Sequence, residues 1–237
     1  MTILYWIILI IFAYVYGSVN NAIIISNIVF RKDVTKIGSG NPGAMNMFRS
    51  FGIGGGLLTL VLDGLKGAIP SLLGWYILGE PFSFGSDRIG LYACAVAVIV
   101  GHIFPIFYKF KGGKGVASSI GICFVMSPIV TAISFVVGAT VLIITKYGFI
   151  CSFIILGAPC IYESVIEFTS GNVVYGIVIL LIYAAVVFMH RGNIVRFVKG
   201  KENKTVLFGR KKAGITPVPS TSDDEKLTEE RSDETQK

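Results

Sequence analysis

Long apolar runs alternate with short polar stretches along the chain. The runs cover roughly 3–29, 52–79, 89–107, 115–126, 128–145, 148–166 and 173–189. A helix needs about 20 apolar residues to cross the hydrocarbon of a bilayer, and most of these runs reach or approach that length. The run 115–126 does not, and it ends at Ser127-Pro128, where a helix breaks. It predicts a half-span or tilted helix leaning on its neighbours. Residues 1–30 contain no Lys, Arg, Asp or Glu. That stretch is too long for the apolar core of a signal peptide and lacks a basic segment before it, so it predicts an uncleaved first transmembrane helix. The pattern is that of an all-α integral membrane protein of about seven transmembrane or half-spanning helices.

Composition agrees: 53% of the 237 residues are hydrophobic and only 15% charged. The net charge of +7 hides an asymmetry. Residues 217–237 hold seven acidic and three basic side chains, whereas the preceding 216 residues carry a net +11. The organisation expected is a membrane-embedded domain over 1–204 and a basic, then acidic, cytoplasmic tail over 205–237. The tail is too polar to bury a core and reads as disordered. The basic surplus lies in alternate loops. Arg31, Lys32, Lys36 and Arg49 follow the first run, Lys109, Lys111 and Lys114 the third, Lys146 the fifth and Arg191 to Lys212 the last. The opposite loops hold Glu80, Asp87, Arg88, Glu163 and Glu167. Positive-inside topology then places the N-terminus outside and the C-terminus in the cytoplasm, which requires an odd number of crossings. Seven satisfies every loop; five with re-entrant segments is the alternative. This explains the positive charge without nucleic acid, which is not expected as a partner. Cys94, Cys123, Cys151 and Cys160 all sit in apolar runs with no CxxC pair, as buried small hydrophobes do.

Three polar stretches fall on the side assigned to the cytoplasm: GSGNPGAMNMFR (38–49), GHIFPIFYKFKGGKGVA (101–117) and HRGNIVRFVKGKE (190–202). Polar side chains beside a membrane domain are costly and mark a candidate site. In the first, glycines allow close backbone approach, Ser39, Asn41 and Asn46 offer hydrogen bonds, and Arg49 offers a planar fork suited to phosphate. In the second, Gly112, Gly113, Lys114 and Gly115 lead into an apolar segment, so backbone N–H groups and a helix start can form an anion-binding concavity. Tyr108 stands where a nucleotide P-loop would need its first glycine, which excludes that motif. His102 ends the third run. In the third stretch, His190, Asn193 and Arg196 recur every three residues and would share one face of a continuing helix; Glu202 could order the cations. A fourth feature, Asp63 and Lys66, sits inside the second run, where the two can pair to lower the cost of burial. Glycine turns, positive-inside loops and a snorkelling basic helix end would account for these stretches without any ligand. There is no HxxxxD pair, no GxSxG elbow and too few carboxylates for a two-metal centre. No metal or cofactor is called for, and chemistry would rest on positioning and cationic stabilisation.

In this order and spacing the stretches resemble the bacterial acyl-phosphate:glycerol-3-phosphate acyltransferase family, whose pattern approximates GSxNxGATNxxR, GHxFPxFxxFxGGKGVA and HxxNIxRxxxGxE. The DxxKG element at 63–67 matches as well, and the resemblance covers roughly residues 3–204. Met45 departs from the pattern, which has Thr there. The resemblance implies a multi-pass enzyme of the bacterial inner membrane with its active site facing the cytoplasm. It would move a fatty acyl group from acyl phosphate to the 1-hydroxyl of glycerol 3-phosphate, giving 1-acylglycerol 3-phosphate (lysophosphatidate) and inorganic phosphate. It implies catalytic roles for His190, Asn193 and Ser39. It implies substrate binding by Arg49, Asn41, Asn46, Gly112, Gly113, Lys114, Gly115, Lys66, His102, Arg196 and Glu202. The partners implied are glycerol 3-phosphate, fatty acyl phosphate and membrane lipids. A small transporter or a non-catalytic binder of a phosphorylated metabolite is the competing class; a transporter would favour repeats meeting near the bilayer midplane, and no internal repeat is evident.

Overall fold

The apolar runs fold as helices in a computed structural model that describes residues 2–79, 82 and 87–206. The first run is not one helix. It divides into α1 (Thr2–Ser18) and α2 (Asn21–Ile28), bent by 42°. Asn20 causes the break: its side chain caps α2 by accepting from the Ile23 N–H at 3.1 Å. The second run begins earlier than its hydrophobicity suggests. Helix α3 (Ala44–Leu78) contains a non-helical Gly52 at φ 76°, so residues 44–51 form a separate short helix of about two turns before the long span. Arg49 therefore sits on a helix rather than in a glycine loop.

Helix α4 (Ile89–Ile103) stops before Phe104-Pro105, and a short 3₁₀ turn (Ile106–Tyr108) leads into the glycine loop. Helix α5 (Val116–Met126) has 11 residues. At 1.5 Å per residue it is about 16 Å long, roughly half the hydrocarbon thickness. It survives because it is enclosed by neighbours: Ser118, Ser119, Ile122 and Cys123 are all buried. Pro128 then opens α6 (Pro128–Thr145), followed by α7 (Gly148–Thr169), α8 (Val173–Met189) and α9 (Arg191–Val198), the last bent by 49° from α8. Among the described residues four helices are long and apolar enough to cross a membrane, or six with each bent pair taken as one span. Their outer surfaces are apolar; Ile129 and Ile144 are more than 70% exposed. Such faces suit lipid rather than water, and the chain is an all-helical, multi-pass membrane protein.

Close packing comes from glycine. A Cβ on Gly121 of α5 would lie 1.9 Å from the Gly64 carbonyl oxygen of α3, and one on Gly101 of α4 would lie 2.3 Å from that of Tyr14 in α1. Without a hydrophobic drive between helices in lipid, such small-residue contacts hold the bundle through dispersion. Two polar ends result. At one, Arg88 meets Glu163 at 3.2 Å and Tyr92 donates to Glu167 at 2.6 Å. At the other, the ends of α4 and α8 meet the starts of α3, α5 and α7 around the three polar stretches. The four cysteines are buried and free. Of the expected tail 205–237, residues 207–237 lie outside the described residues, as does Glu80 of the acidic loops.

Candidate active site

The site is a cavity of about 250 Å³ at the second polar end. Its rim is polar: Ser39, Asn41, Arg49, Lys114, Gly115, His190, Asn193 and Glu202 all line it. Its inner wall is apolar, with Leu57 and Leu60 from α3, Phe135 and Leu142 from α6, and Phe149 and Ile155 from α7. One space thus offers cations and hydrogen bonds at one end and hydrocarbon at the other.

Residues far apart in sequence hold the rim. Arg49 donates through Nη2 to Ser39 Oγ at 3.2 Å and through Nη1 to Thr205 Oγ1 at 3.3 Å. Among the described residues its Nε is buried with no hydrogen-bond partner. A guanidinium nitrogen left this way is costly unless an anion completes it. Lys114 donates to Asn193 Oδ1. Asn193 Nδ2 donates to Glu202 Oε1 at 2.6 Å, and Arg196 Nε donates to Glu202 Oε2 at 2.9 Å. Glu202 thus orients Asn193, which orients Lys114. Burial holds the Lys114 ammonium below the usual lysine range, at about 8; Glu202 opposes that shift, while Arg196 and Arg49 add to it. The rim therefore holds crowded positive charge that an anion would relieve.

His190 sits at the break between α8 and α9, so the expected continuous helix is absent, yet His190 and Asn193 both line the cavity. The His190 Nδ1 lies 2.8 Å from the Val186 carbonyl oxygen, which can only accept. Nδ1 must carry the proton, leaving Nε2 with a lone pair.

Not every sequence candidate faces the cavity. Asn46 is 1% exposed and is occupied by the loop itself: it accepts from Ser39 N and donates to Val34 O and Ile37 O. Lys66 is enclosed beside Asp63, at 3.3 Å, and His102, at 3.0 Å; Asp63 and His102 reach the cavity, Lys66 does not. The Gly112 and Gly113 N–H groups, expected to cradle an anion, instead donate to Ile103 O at 3.2 Å and His102 O at 3.1 Å. Those bonds brace the loop. The donors left to an anion there are the N–H groups that open α5, which have no intrahelical partner. Gly112 faces a neighbouring groove that shares Ser39 and Asn41 with the cavity. Arg196 is 42% exposed and pairs with Glu202 without lining the cavity. Thr205 was invisible in sequence, being one hydroxyl in a polar tail. Met45 lines the cavity against α7; a Cβ on Gly148 would lie 2.9 Å from its sulfur.

Comparison with known proteins bears on this geometry. The family model for glycerol-3-phosphate acyltransferase matches residues 7–200. A protein of that name from Paraburkholderia phytofirmans is 32% identical over 213 residues, 90% of this chain and 95% of its own length. One from Francisella philomiragia is 38% identical over 200 residues, covering 83% and 91%. The crystal structure of PlsY (YgiH), an integral membrane glycerol 3-phosphate acyltransferase, in its glycerol 3-phosphate form superposes with a TM-score of 0.72 at 35% identity, covering 86% of this chain and 96% of that one. Its lysophosphatidic acid form superposes at 0.70, with 34% identity and coverage of 86% and 95%. With the family match running from within α1 through α9 and taking in the first two polar stretches and most of the third, the chain belongs to the glycerol-3-phosphate acyltransferase family.

Proposed function

We propose that this protein transfers a fatty acyl group from acyl phosphate to the 1-hydroxyl of glycerol 3-phosphate, releasing 1-acylglycerol 3-phosphate and inorganic phosphate. The observation that carries the reading is the two-ended cavity: a rim with Arg49, Lys114, His190 and Asn193, continuous with a hydrocarbon wall between α3, α6 and α7. The acyl chain lies along the wall and the phosphates sit at the rim. Arg49, whose Nε has no partner among the described residues and whose Nη2 donates to Ser39, takes one phosphate. Lys114 and the start of α5 take the other. The substrate hydroxyl approaches His190, whose Nε2 lone pair accepts its proton. The hydroxyl oxygen attacks the acyl carbon, the bond from that carbon to the phosphate oxygen breaks, and phosphate leaves with the electron pair. Phosphate is stable as an anion, so strong acid assistance is unnecessary, and stabilisation of the developing charge by Arg49 and Lys114 supplies the remainder. The basic loops support a rim on the cytoplasmic side of the inner membrane, with the N-terminus outside and the C-terminus inside.

Purified protein supplied with glycerol 3-phosphate and palmitoyl phosphate should release phosphate and form lysophosphatidate, while palmitoyl-CoA in parallel should give neither. Activity with the thioester alone would reject the donor; no product from folded protein would reject the reaction. Arg49→Ala, Lys114→Ala and His190→Ala should each lower kcat/KM by at least about 100-fold, the scale of losing one charge-assisted contact or proton acceptor. Each variant should still insert into the membrane. Full activity in any one of them would remove that residue from the mechanism.

A further inference from the structure

The chain has two histidines, and both line the cavity. Each has Nδ1 engaged, but by partners of opposite kind. His190 Nδ1 faces a carbonyl and carries its proton. His102 Nδ1 faces the Lys66 ammonium, which has three N–H groups and no lone pair. Those three groups meet three acceptors: Val19 O at 2.6 Å, Asp63 Oδ1 at 3.3 Å and His102 Nδ1 at 3.0 Å. The first is the carbonyl freed where α1 breaks. A proton on His102 Nδ1 would oppose an ammonium proton and leave Lys66 a donor without an acceptor. The single proton of the neutral ring therefore belongs on Nε2.

We propose that Lys66 is a positioning residue that locks His102 in its Nε2–H tautomer, so that the two histidines present opposite chemistry to one cavity. His102 offers an N–H; His190 offers a lone pair. Asp63 keeps the lock charged and is itself held by Asn21 Nδ2 at 2.8 Å. The His102 donor stands at the glycine loop, since a Cβ on Gly113 would come within 2.3 Å of Nε2. A fixed donor there suits an anionic oxygen beside Lys114. Naming that oxygen as the phosphate of glycerol 3-phosphate rests on the acyltransferase reading; the tautomers do not.

The test is nitrogen NMR of the full-length protein labelled at histidine, with His190→Asn assigning the two rings. The result expected is a protonated Nε2 and bare Nδ1 for His102, and the reverse for His190. A proton on His102 Nδ1, or the same tautomer in both rings, overturns the proposal. The causal role of Lys66 is read from the combined variant Asp63→Asn, Lys66→Met, Ser118→Ala, which also removes the Ser118 hydroxyl 3.4 Å from His102 Nδ1. An Nδ1-protonated population should appear, with KM for glycerol 3-phosphate raised about tenfold and kcat moved less. A His102 still wholly in the Nε2–H form would overturn the role of Lys66. If that variant does not fold, the unmutated spectrum still decides, because a proton on Nδ1 is incompatible with Lys66 as its donor. Opposite tautomers in a protein that forms no lysophosphatidate would sink the acyltransferase reading and leave this one standing.

Discussion

Lys114 is the rim residue whose charge lies nearest its working limit. Burial pulls its pKa down to about 8, well below the ordinary lysine value. The consequence differs for stability and for activity. Between that value and the unfolded value of about 10.4, the unfolded chain holds a proton that the folded chain has lost. Stability contributed by this group therefore rises with pH across that window and is penalised below it. Activity runs the other way, since anion binding needs the ammonium. The second ionisation of a phosphate monoester, near pH 6, is already complete by then. We expect kcat/KM for glycerol 3-phosphate to fall as pH passes about 8, a limb that reports the free enzyme. Lys114→Arg should move that limb beyond reach, because a guanidinium does not deprotonate there. A flat profile between pH 7 and 9 in the unmutated protein would show that Lys114 carries no essential charge.

Hydrophobic run length foretold most elements, and failed where a side chain rather than hydropathy sets the boundary. Asn20 breaks the first run because it caps a new helix, and nothing in an apolar average registers one capping asparagine. Residues 44–49 close the glycine- and asparagine-bearing stretch 38–49 and share its loop-like reading, yet residues 44–51 form helix ahead of Gly52. The shortness of α5 was legible from Pro128; its tolerance of burial was not, since that depends on Gly64 of α3 facing Gly121 and Gly67 of α3 facing the Ser118 backbone of α5. That crossing makes a stability prediction. Alanine at Gly121 must push against the Gly64 carbonyl, a backbone atom that no rotamer change can move. Gly121→Ala should destabilise the purified protein by about 1–3 kcal/mol, the usual cost of overpacking, and lower its thermal midpoint in detergent. Gly192→Ala on α9 meets only the flexible Arg196 guanidinium at 3.4 Å, and should be neutral or slightly stabilising. Equal behaviour of the two variants would show that the α3–α5 crossing is looser than drawn.

At the scale of the molecule, the chain folds so that polar stretches separated by more than a hundred residues share one cavity. Alternation of basic and acidic loops already placed those stretches on one side. It could not distinguish the cavity rim from the scaffold behind it: Asn46 and Lys66 have the same chemistry as Asn41 and Lys114, but the fold turns the first pair into props and the second toward the space. Sidedness itself follows from charge. The end bearing Lys109, Lys111, Lys199 and Lys201 should face the cytoplasm, and the end bearing Glu163, Glu167 and Ser170 the exterior. The molecule is well suited to a direct test, because its four native cysteines are buried and should give little background. Cysteines can be placed singly at the exposed positions Ser170 and Lys199. In intact spheroplasts a membrane-impermeant maleimide should label Ser170→Cys at once, and Lys199→Cys only after permeabilisation. The reverse pattern would invert the molecule and place the Arg49–Lys114 rim outside. There a cytoplasmic phosphorylated substrate could not reach it, and the proposed reaction would fail on geometry alone.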